Sequence, residues 1–405
     1  MESQQGSETV SGKIVRGTPA YRRTSLAIFS CGFSIFAILY CTQPILPQLT
    51  QEFGVTPAQS SLALSLTTIT MAVAMLFASS LSEAVGRKPM MLGALVTSSV
   101  LTLALSLAQE WNQILWLRAL AGVGLSGMPA VALAYLGEEM DKGSVAPAVG
   151  LYIGGGAVGG MSGRLVTSFL ADYGSWRLAM IGLGIMGLVS ALIFWRAMEP
   201  SRFFVARKVS FIAMTKSMLG HFRNPGIVLL AIAGFVMLGG YMALFNYIGF
   251  RLQAAPFNWS QTAAGLVFIV YPIGSLGSAN MGALAARYGR GRMLMATLAI
   301  SLVGLVVMTP DNFLAIAIGL MIMTYGFFGA HSICSGWAPA LAARDKAQAS
   351  SLYLLLYYIG GGVAGSMGGI FWQAYGWNGV AAFAALLYIL TLGIAFAMTR
   401  FANTQ

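Results

Sequence analysis

Apolar residues gather along this chain into twelve long stretches, roughly 25–49, 60–82, 89–109, 112–137, 145–170, 176–198, 226–250, 260–284, 293–309, 313–340, 347–372 and 377–399, separated by short polar or charged segments. Each stretch reaches or approaches the ~20 residues a helix needs to cross ~30 Å of hydrocarbon. A membrane barrel would show alternating strands of ~10 residues, and the sequence lacks that rhythm. The pattern predicts an all-α membrane protein with twelve transmembrane helices, spans 1 to 12.

The second half of the chain repeats the first. EAVGRKPMML, starting at Glu83, is answered by ARYGRGRMLM, starting at Ala286; DKGSVA at Asp141 is answered by DKAQAS at Asp345, and Tyr152 by Tyr358. The offsets are 203, 204 and 206 positions, in one order and with one sidedness. A parallel repeat of six spans each follows: two six-helix bundles related by a pseudo-two-fold axis. The expected divisions are a cytoplasmic tail 1–24, an N-terminal bundle 25–198, a cytoplasmic linker 199–225, a C-terminal bundle 226–400 and a tail 401–405. In the linker Phe204, Val205, Val209, Ile212 and Phe222 interleave with Arg207, Lys208 and Lys216, which suits a helix lying along anionic lipid headgroups.

Composition then narrows the function. Charged residues are 9% of the chain and hydrophobic ones 57%, whereas a soluble domain carries about 25% charged residues. The net charge of +11 raises the question of a nucleic-acid partner, and position answers it. Of the 23 Lys and Arg residues, all but Arg118, Arg164, Arg177 and Arg251 fall in segments that are cytoplasmic when both termini are inside. The positive-inside rule accounts for the basicity, so no nucleic acid is implied. The first apolar stretch exceeds a signal-peptide core and has no A-x-A site, so it is expected to remain as span 1. Cys31, Cys41 and Cys334 lie in spans. The first two stand ~15 Å apart on a helix, too far for a disulfide.

LYIGGGAVGGMSGR, Leu151 to Arg164, contains G-x-G-x-x-G, and YYIGGGVAGSMGG repeats its theme from Tyr357. A dinucleotide fingerprint needs a strand before it and a free helix N-terminus after it. These strings lie inside unbroken spans, where the N–H groups must bond within their own helix. Tyr152, Gly156, Gly159 and Gly163 recur at the spacing of one helical face, and Tyr358, Gly362, Gly365 and Gly369 repeat it. Such a stripe serves either close helix packing alone or a surface on which the two halves slide.

The loop SSLSEAVGRKPMML resembles the G-x-L-a-D-r-x-G-r-k signature of the major facilitator superfamily, with Glu83 as the acid, Gly86 as the turn glycine, and Arg87 and Lys88 as the basic pair. WLRALAGVGLSG resembles the family's R-x-x-x-G-x-G element through Arg118, Gly122 and Gly124, and the span-5 string resembles its antiporter motif. Ser79 replaces the loop's first glycine, Gly156 stands where the span-5 motif usually has proline, and Ala286 replaces the acid in the second copy. YCTQPILPQL, GMSGR, FNYIGFRL, AHSICSGW and YGWNGV are similar to bacterial inner-membrane transporters of the YnfM type. The resemblance implies the family's fold and a gating part for Glu83, Gly86, Arg87 and Lys88, with Glu83 facing the N-terminus of span 11 near Gln348 to Ser350 and holding the cytoplasmic side shut.

Every acid maps to a tail, a loop or a span end, so no carboxylate stands at mid-membrane. The chain offers cations there instead. Arg118, deep in span 4, should face a cavity or a partner, because a charge in hydrocarbon costs at least ~2.5 kcal/mol. Arg164 either lines the cavity, snorkels or pairs with Asp172, and His331 is either a proton carrier or a satisfied buried histidine. Gln43, beside Pro44 and Pro47, marks a bend in span 1, with Asn246 and Tyr247 as its counterpart in span 7; these line a polar pocket or glue helices together. Tyr152, Tyr271, Tyr357 and Tyr358 are candidates for an aromatic lining.

The expected function is secondary active transport by alternating access, moving a small organic compound across a bacterial inner membrane by proton-coupled efflux, as an antiporter. Proton-coupled uptake of a small organic anion is the alternative, and a non-transporting membrane receptor or an intramembrane enzyme the remote one. With only His221 and His331 and no intramembrane acid, there is no catalytic or metal site to name; with no Walker loop, no cofactor is implied. The expected partners are a small-molecule substrate, protons and membrane lipid, and the chain is expected to be a monomer.

Overall fold

The structure, a computed structural model, describes residues 12–205 and 211–403. Glu2, Glu8, Arg207, Lys208 and Val209 lie outside the described residues. Among the described residues, eleven helical segments are long and apolar enough to cross a membrane. The last of them, Lys346–Arg400, holds 55 residues, and at Gly376 its backbone turns to φ 60°, ψ −146°, so it is two spans. Twelve spans result, as the hydropathy pattern predicts. With an even number, both ends of the described chain lie on one side, called the inner side below.

Proline and glycine set the interruptions. Span 1 runs as Pro19–Tyr40, breaks, and resumes as Leu46–Phe53; Pro44 lacks the N–H a continuous helix requires at the break. Span 2 starts at Pro57–Ser60 under a capping box between Thr56 and Gln59, continues as Leu62–Val85 and ends on Gly86, whose φ of 99° needs a residue without Cβ. Span 3 is Arg87–Leu105; span 4 is Trp111–Leu125 with Pro129–Glu139; span 5 is Lys142–Tyr173; span 6 is Trp176–Ala197. In the second bundle span 7 is Pro225–Gln253, unbroken; span 8 is Gln261–Gly265, a 3-10 stretch Leu266–Val270, and Tyr271–Tyr288; span 9 is Arg290–Val307; span 10 is Phe313–Ala340. Gly289, at φ 93°, repeats the Gly86 turn.

Glycines weld each bundle. Gly155, Gly159 and Gly163 of span 5 lie against the backbone of Phe29, Phe33 and Ala37 in span 1, every fourth residue meeting every fourth residue. In the second bundle Gly360 meets the backbone of Phe235, Ala364 approaches Gly239, and Gly368 meets Ala243. The stripe that touches backbone in span 5 is thus shifted by one from the expected set at its inner end, since Gly156 instead takes the Phe36 ring. Gly362 and Gly369 turn away from their own bundle toward Ile69 and Ala58 of span 2, while Gly365 faces Met242 and Asn246 of span 7.

The linker contributes a helix, Phe211–Gly220. Met218 is buried with Ile227, Ala349 and Leu352 of the second bundle, against which Leu76 of the first also packs. Ile212, Leu219 and Phe222 are exposed. Ahead of span 1, Ile14 forms a parallel bridge with Met140, which pins the described start of the chain to the span 4–5 loop.

Candidate functional site

Where span 1 breaks and span 2 begins, Arg118 donates to backbone carbonyls of both. Its Nη2 donates to Leu39 O at 2.7 Å, Nη1 to Ile38 O at 3.2 Å and Nε to Ala63 O at 2.9 Å, with the side chain fully buried. A guanidinium at a helix C-terminus both supplies the missing donors and opposes the helix dipole. Arg251 does the same at the end of span 9, donating to the carbonyls of Met308, Thr309 and Pro310 and pairing with Asp311. The cavity-lining part expected of Arg118 is therefore corrected: its three nitrogens are occupied inside its own bundle.

Arg164 is placed differently. It lies on span 5 where the bundles meet, fully buried, with Nε donating to Gln43 Oε1 at 2.7 Å and Nη1 to Gly160 O at 2.6 Å. The guanidinium carbon sits 4.1 Å from the Tyr40 ring centre, 4.4 Å from Tyr271 and 5.1 Å from Phe268, one ring from the first bundle and two from the second. Cation–π attraction offsets part of the cost of a dry charge. Among the described residues no carboxylate pairs with it. The expected alternative partner, Asp172, instead accepts from Thr262 N at 3.0 Å.

Gln43 joins the bundles. Its Nε2 donates to Asn246 Oδ1 at 2.8 Å, so Arg164, Gln43 and Asn246 form one chain across the boundary. Tyr247 does not join them. Its hydroxyl donates to Ser366 O at 3.2 Å and its ring stacks on Trp372, which puts it in the outer seal. That seal also holds Gln261 Nε2 on Pro44 O at 2.7 Å and Ser366 Oγ between those of Ser61 and Ser65, at 3.0 and 2.7 Å. Among the described residues, the direct hydrogen bonds between the two bundles, which include Tyr247 Oη to Pro57 O at 3.5 Å, lie in the outer part of the spans.

The remaining aromatic candidates form a stack on the inner side of this chain. His331 Nδ1 lies 3.0 Å from the Tyr353 hydroxyl, and its ring stacks on Tyr357 at 4.4 Å. Tyr358 meets Tyr357 edge-on and packs against the cores of both bundles, as Tyr40 does. Tyr152 is buried in the first bundle, its backbone and ring closing on Gly32.

At the inner end Glu83 and Arg87 pair at 2.5 Å, one turn apart, and Arg87 also reaches Glu138 at 2.7 Å and Ser82 Oγ at 2.6 Å. Lys88 donates to Met198 O at 2.5 Å. All these partners belong to the first bundle, so in this conformation the Glu83 contact ties spans 2, 3 and 4 together, and the expected reach to span 11 is corrected for this state. Glu138, which grips Arg87 through both oxygens, escaped the sequence reading because it sits 51 positions away in a loop-like cluster of acids.

The Major Facilitator Superfamily sequence profile matches residues 28–255, more than half of the chain. The chain belongs to the major facilitator superfamily. It is 43% identical to "Inner membrane transport protein YnfM" of Escherichia coli K12 over 387 residues, covering 96% of this chain and 93% of that one. To the "Uncharacterized MFS-type transporter YybF" of Bacillus subtilis 168 it is 41% identical, covering 96% of each. Its fold is shared with a bacterial homologue of the human lysosomal transporter Spinster, crystallised in an inward-facing and occupied conformation, with a TM-score of 0.80 at 15% identity over 95% of this chain and 97% of that chain. This superfamily member is a multi-pass membrane transporter, with the Arg164–Gln43–Asn246 chain at the boundary between its bundles.

Proposed function

We propose that the protein moves a small organic compound by alternating access, with the Arg164–Gln43–Asn246 chain at the turning point between its two states. The observation that carries this reading is the contrast in how the parts are joined. Inside each bundle, backbone lies on backbone at glycine contacts repeated along the helices; between bundles, the approach of Gly369 to Ala58 and a few hydrogen bonds close one side. Packed cores move as bodies, and a handful of polar contacts separates with little loss, the physical requirement for rocking.

The driving force proposed is a proton gradient, with the compound carried outward in exchange for protons. The candidate proton carrier is the imidazole of His331 in span 10, held by Tyr353 and stacked on Tyr357. Inward symport of an organic anion is the second reading, favoured by the buried, uncompensated Arg164. Both termini are assigned to the cytoplasm on the positive-inside pattern, and the linker helix to the headgroup layer on its exposed Ile212, Leu219 and Phe222. Purified protein in liposomes tests the reading: flux of a small organic compound that rises with an imposed pH gradient and falls in His331→Gln supports it. Liposomes that move no compound in either direction overturn it.

A further inference from the structure

Three buried groups at the bundle boundary fix one another's orientation, and the chain they form ends in unmet donors. Arg164 Nε can only donate, so the Gln43 atom at 2.7 Å from it is the amide oxygen. That turns the Gln43 amide nitrogen to Asn246, and the atom it meets at 2.8 Å must then be the Asn246 oxygen. The Asn246 Nδ2 group is left over at one end of the chain and Arg164 Nη2 at the other; both are buried, and neither has a hydrogen-bond partner. Arg164 is 0% exposed and Asn246 1%. The Tyr271 hydroxyl, also buried without a partner, can accept but carries no charge; two orphan donors, one of them on a charge without a counter-ion, form a site that is short of an anion.

The surroundings limit which anion. Rings cover the guanidinium: Tyr40 and Tyr271 within 4.4 Å of its carbon, and Phe268 at 5.1 Å. Beyond Tyr271 the aromatic surface continues through Tyr241, Phe245 and Phe328. Arg118 is committed to backbone carbonyls, and Arg251, whose Nε is also without a partner, is held by three carbonyls and neutralised by Asp311; among the described residues Arg164 is the buried guanidinium with a terminal nitrogen to spare and no carboxylate. A second anionic group on the ligand would find no partner, and a cationic group would find no carboxylate.

We propose that Arg164 and Asn246 hold the carboxylate of a planar, apolar monoanion, an aromatic monocarboxylate, and that this is the substrate class of the transporter. The inference rests on the transport reading above and names the chemistry at its centre. Carboxylate oxygens accept from Nη2 and Nδ2, the aromatic body lies on the ring surface, and Gln43 holds the two donors in register across the boundary. Because Gln43 bonds both bundles, a ligand bridging Arg164 and Asn246 steadies the closed outer seal, and an empty site leaves two donors unmet.

The test uses the full-length purified protein and, as probes, benzoate, cinnamate and naphthoate beside their uncharged amides and the dianion phthalate. Thermal stabilisation is expected to saturate with at least one monocarboxylate in the millimolar range or below, and not with its amide or with phthalate. In Arg164→Lys, which keeps the charge but loses the planar fork, affinity is expected to fall about tenfold or more. In Arg164→Gln, checked for a monodisperse peak, binding is lost. Asn246→Ala, which spares the guanidinium, weakens the same ligand about threefold to tenfold and serves if Arg164→Gln does not fold. The proposal is overturned by an amide that binds as well as its acid, by no saturable response to any monocarboxylate up to about 50 mM, or by unchanged affinity in Arg164→Gln. Flux in liposomes separates this from the transport reading. Arg164-dependent binding without flux keeps the anion site and sinks transport, while flux of other compounds that ignores Arg164 keeps transport and sinks the site.

Discussion

The glycine strings of spans 5 and 11 are near copies in sequence and do different work. In span 5, Gly155, Gly159 and Gly163 press on the backbone of span 1, inside one bundle. In span 11, Gly360 repeats that weld onto span 7, Gly368 meets the Tyr247 ring and the Ala243 methyl there, and a second glycine face, Gly362 and Gly369, reaches the other bundle at Ile69 and Ala58. Where span 11 has Gly369 near the boundary, the equivalent part of span 5 carries Arg164. One copy thus presents a smooth contact to its partner bundle and the other a charged one. The first spans differ in step: span 1 breaks and is clamped by Arg118, whereas span 7 runs unbroken and the matching stretch of span 10, at Ile322 and Met323, is apolar. Duplication supplied two rigid bodies, and divergence put the polar chemistry on one face of the contact.

The largest effect is expected where backbone meets backbone inside a bundle. A Cβ at Gly159 would fall on the Phe33 carbonyl, and neither helix can yield without parting spans 1 and 5. Gly159→Ala should therefore give little or no monodisperse protein by size exclusion, and a normal peak with normal flux would show that the weld is dispensable.

Arg118→Met, which makes span 4 resemble its counterpart, should come next. It strips a donor from each of three buried carbonyls, of which Ile38 O keeps Cys41 N and Ala63 O keeps Thr67 Oγ1, so the main cost falls on Leu39 O, at roughly 1–3 kcal/mol for a group left unsatisfied. A drop of several degrees in melting temperature is expected, with the affinity for a bound carboxylate unchanged. Loss of ligand affinity without loss of stability would return Arg118 to the binding site.

Gly369→Ala tests the contact between bundles. Its Cβ would meet the Ala58 backbone nitrogen at 2.5 Å, a clash that opening the outer side relieves, and the Tyr247 hydroxyl at 2.5 Å, the far end of a side chain in its own bundle that has to shift in either state. Overpacking of this kind costs about 1–3 kcal/mol, here charged to one state of the cycle and not to the fold. The variant should purify normally, label faster from outside at Ser366→Cys, and transport about tenfold slower or worse. Unchanged labelling would mean that the two glycine faces are equivalent after all.

The smallest effect belongs to the inner loop, where the first bundle has Glu83, Arg87 and Glu138 and the second has Ala286 in place of the acid. Glu138→Gln weakens a partly exposed pair, so about 1 kcal/mol or less is at stake. A melting shift of a degree or two is expected, larger than for Glu83→Gln because Glu138 holds Arg87 through both oxygens. Equal shifts would make the two acids interchangeable.

The sequence by itself determined the spans, the repeat and the family. Hydrocarbon imposes one requirement on every helix that crosses it, so length and apolarity are written locally, and Gly86, Gly289 and the prolines of span 1 mark their turns and breaks wherever they fall. It also singled out Gln43, Arg164 and Asn246, which the structure brings into one hydrogen-bonded chain. Only the tertiary structure decided which of two intramembrane arginines is spent and which is free. Arg118 and Arg164 read alike along the chain, as lone cations in apolar spans. What separates them is which carbonyls lie within reach, and those belong to residues 55 and 80 positions from Arg118. The glycine faces divide for the same reason: spacing shows that a smooth stripe exists, but the partner it meets, its own bundle or the other, depends on contacts between segments that no local pattern encodes.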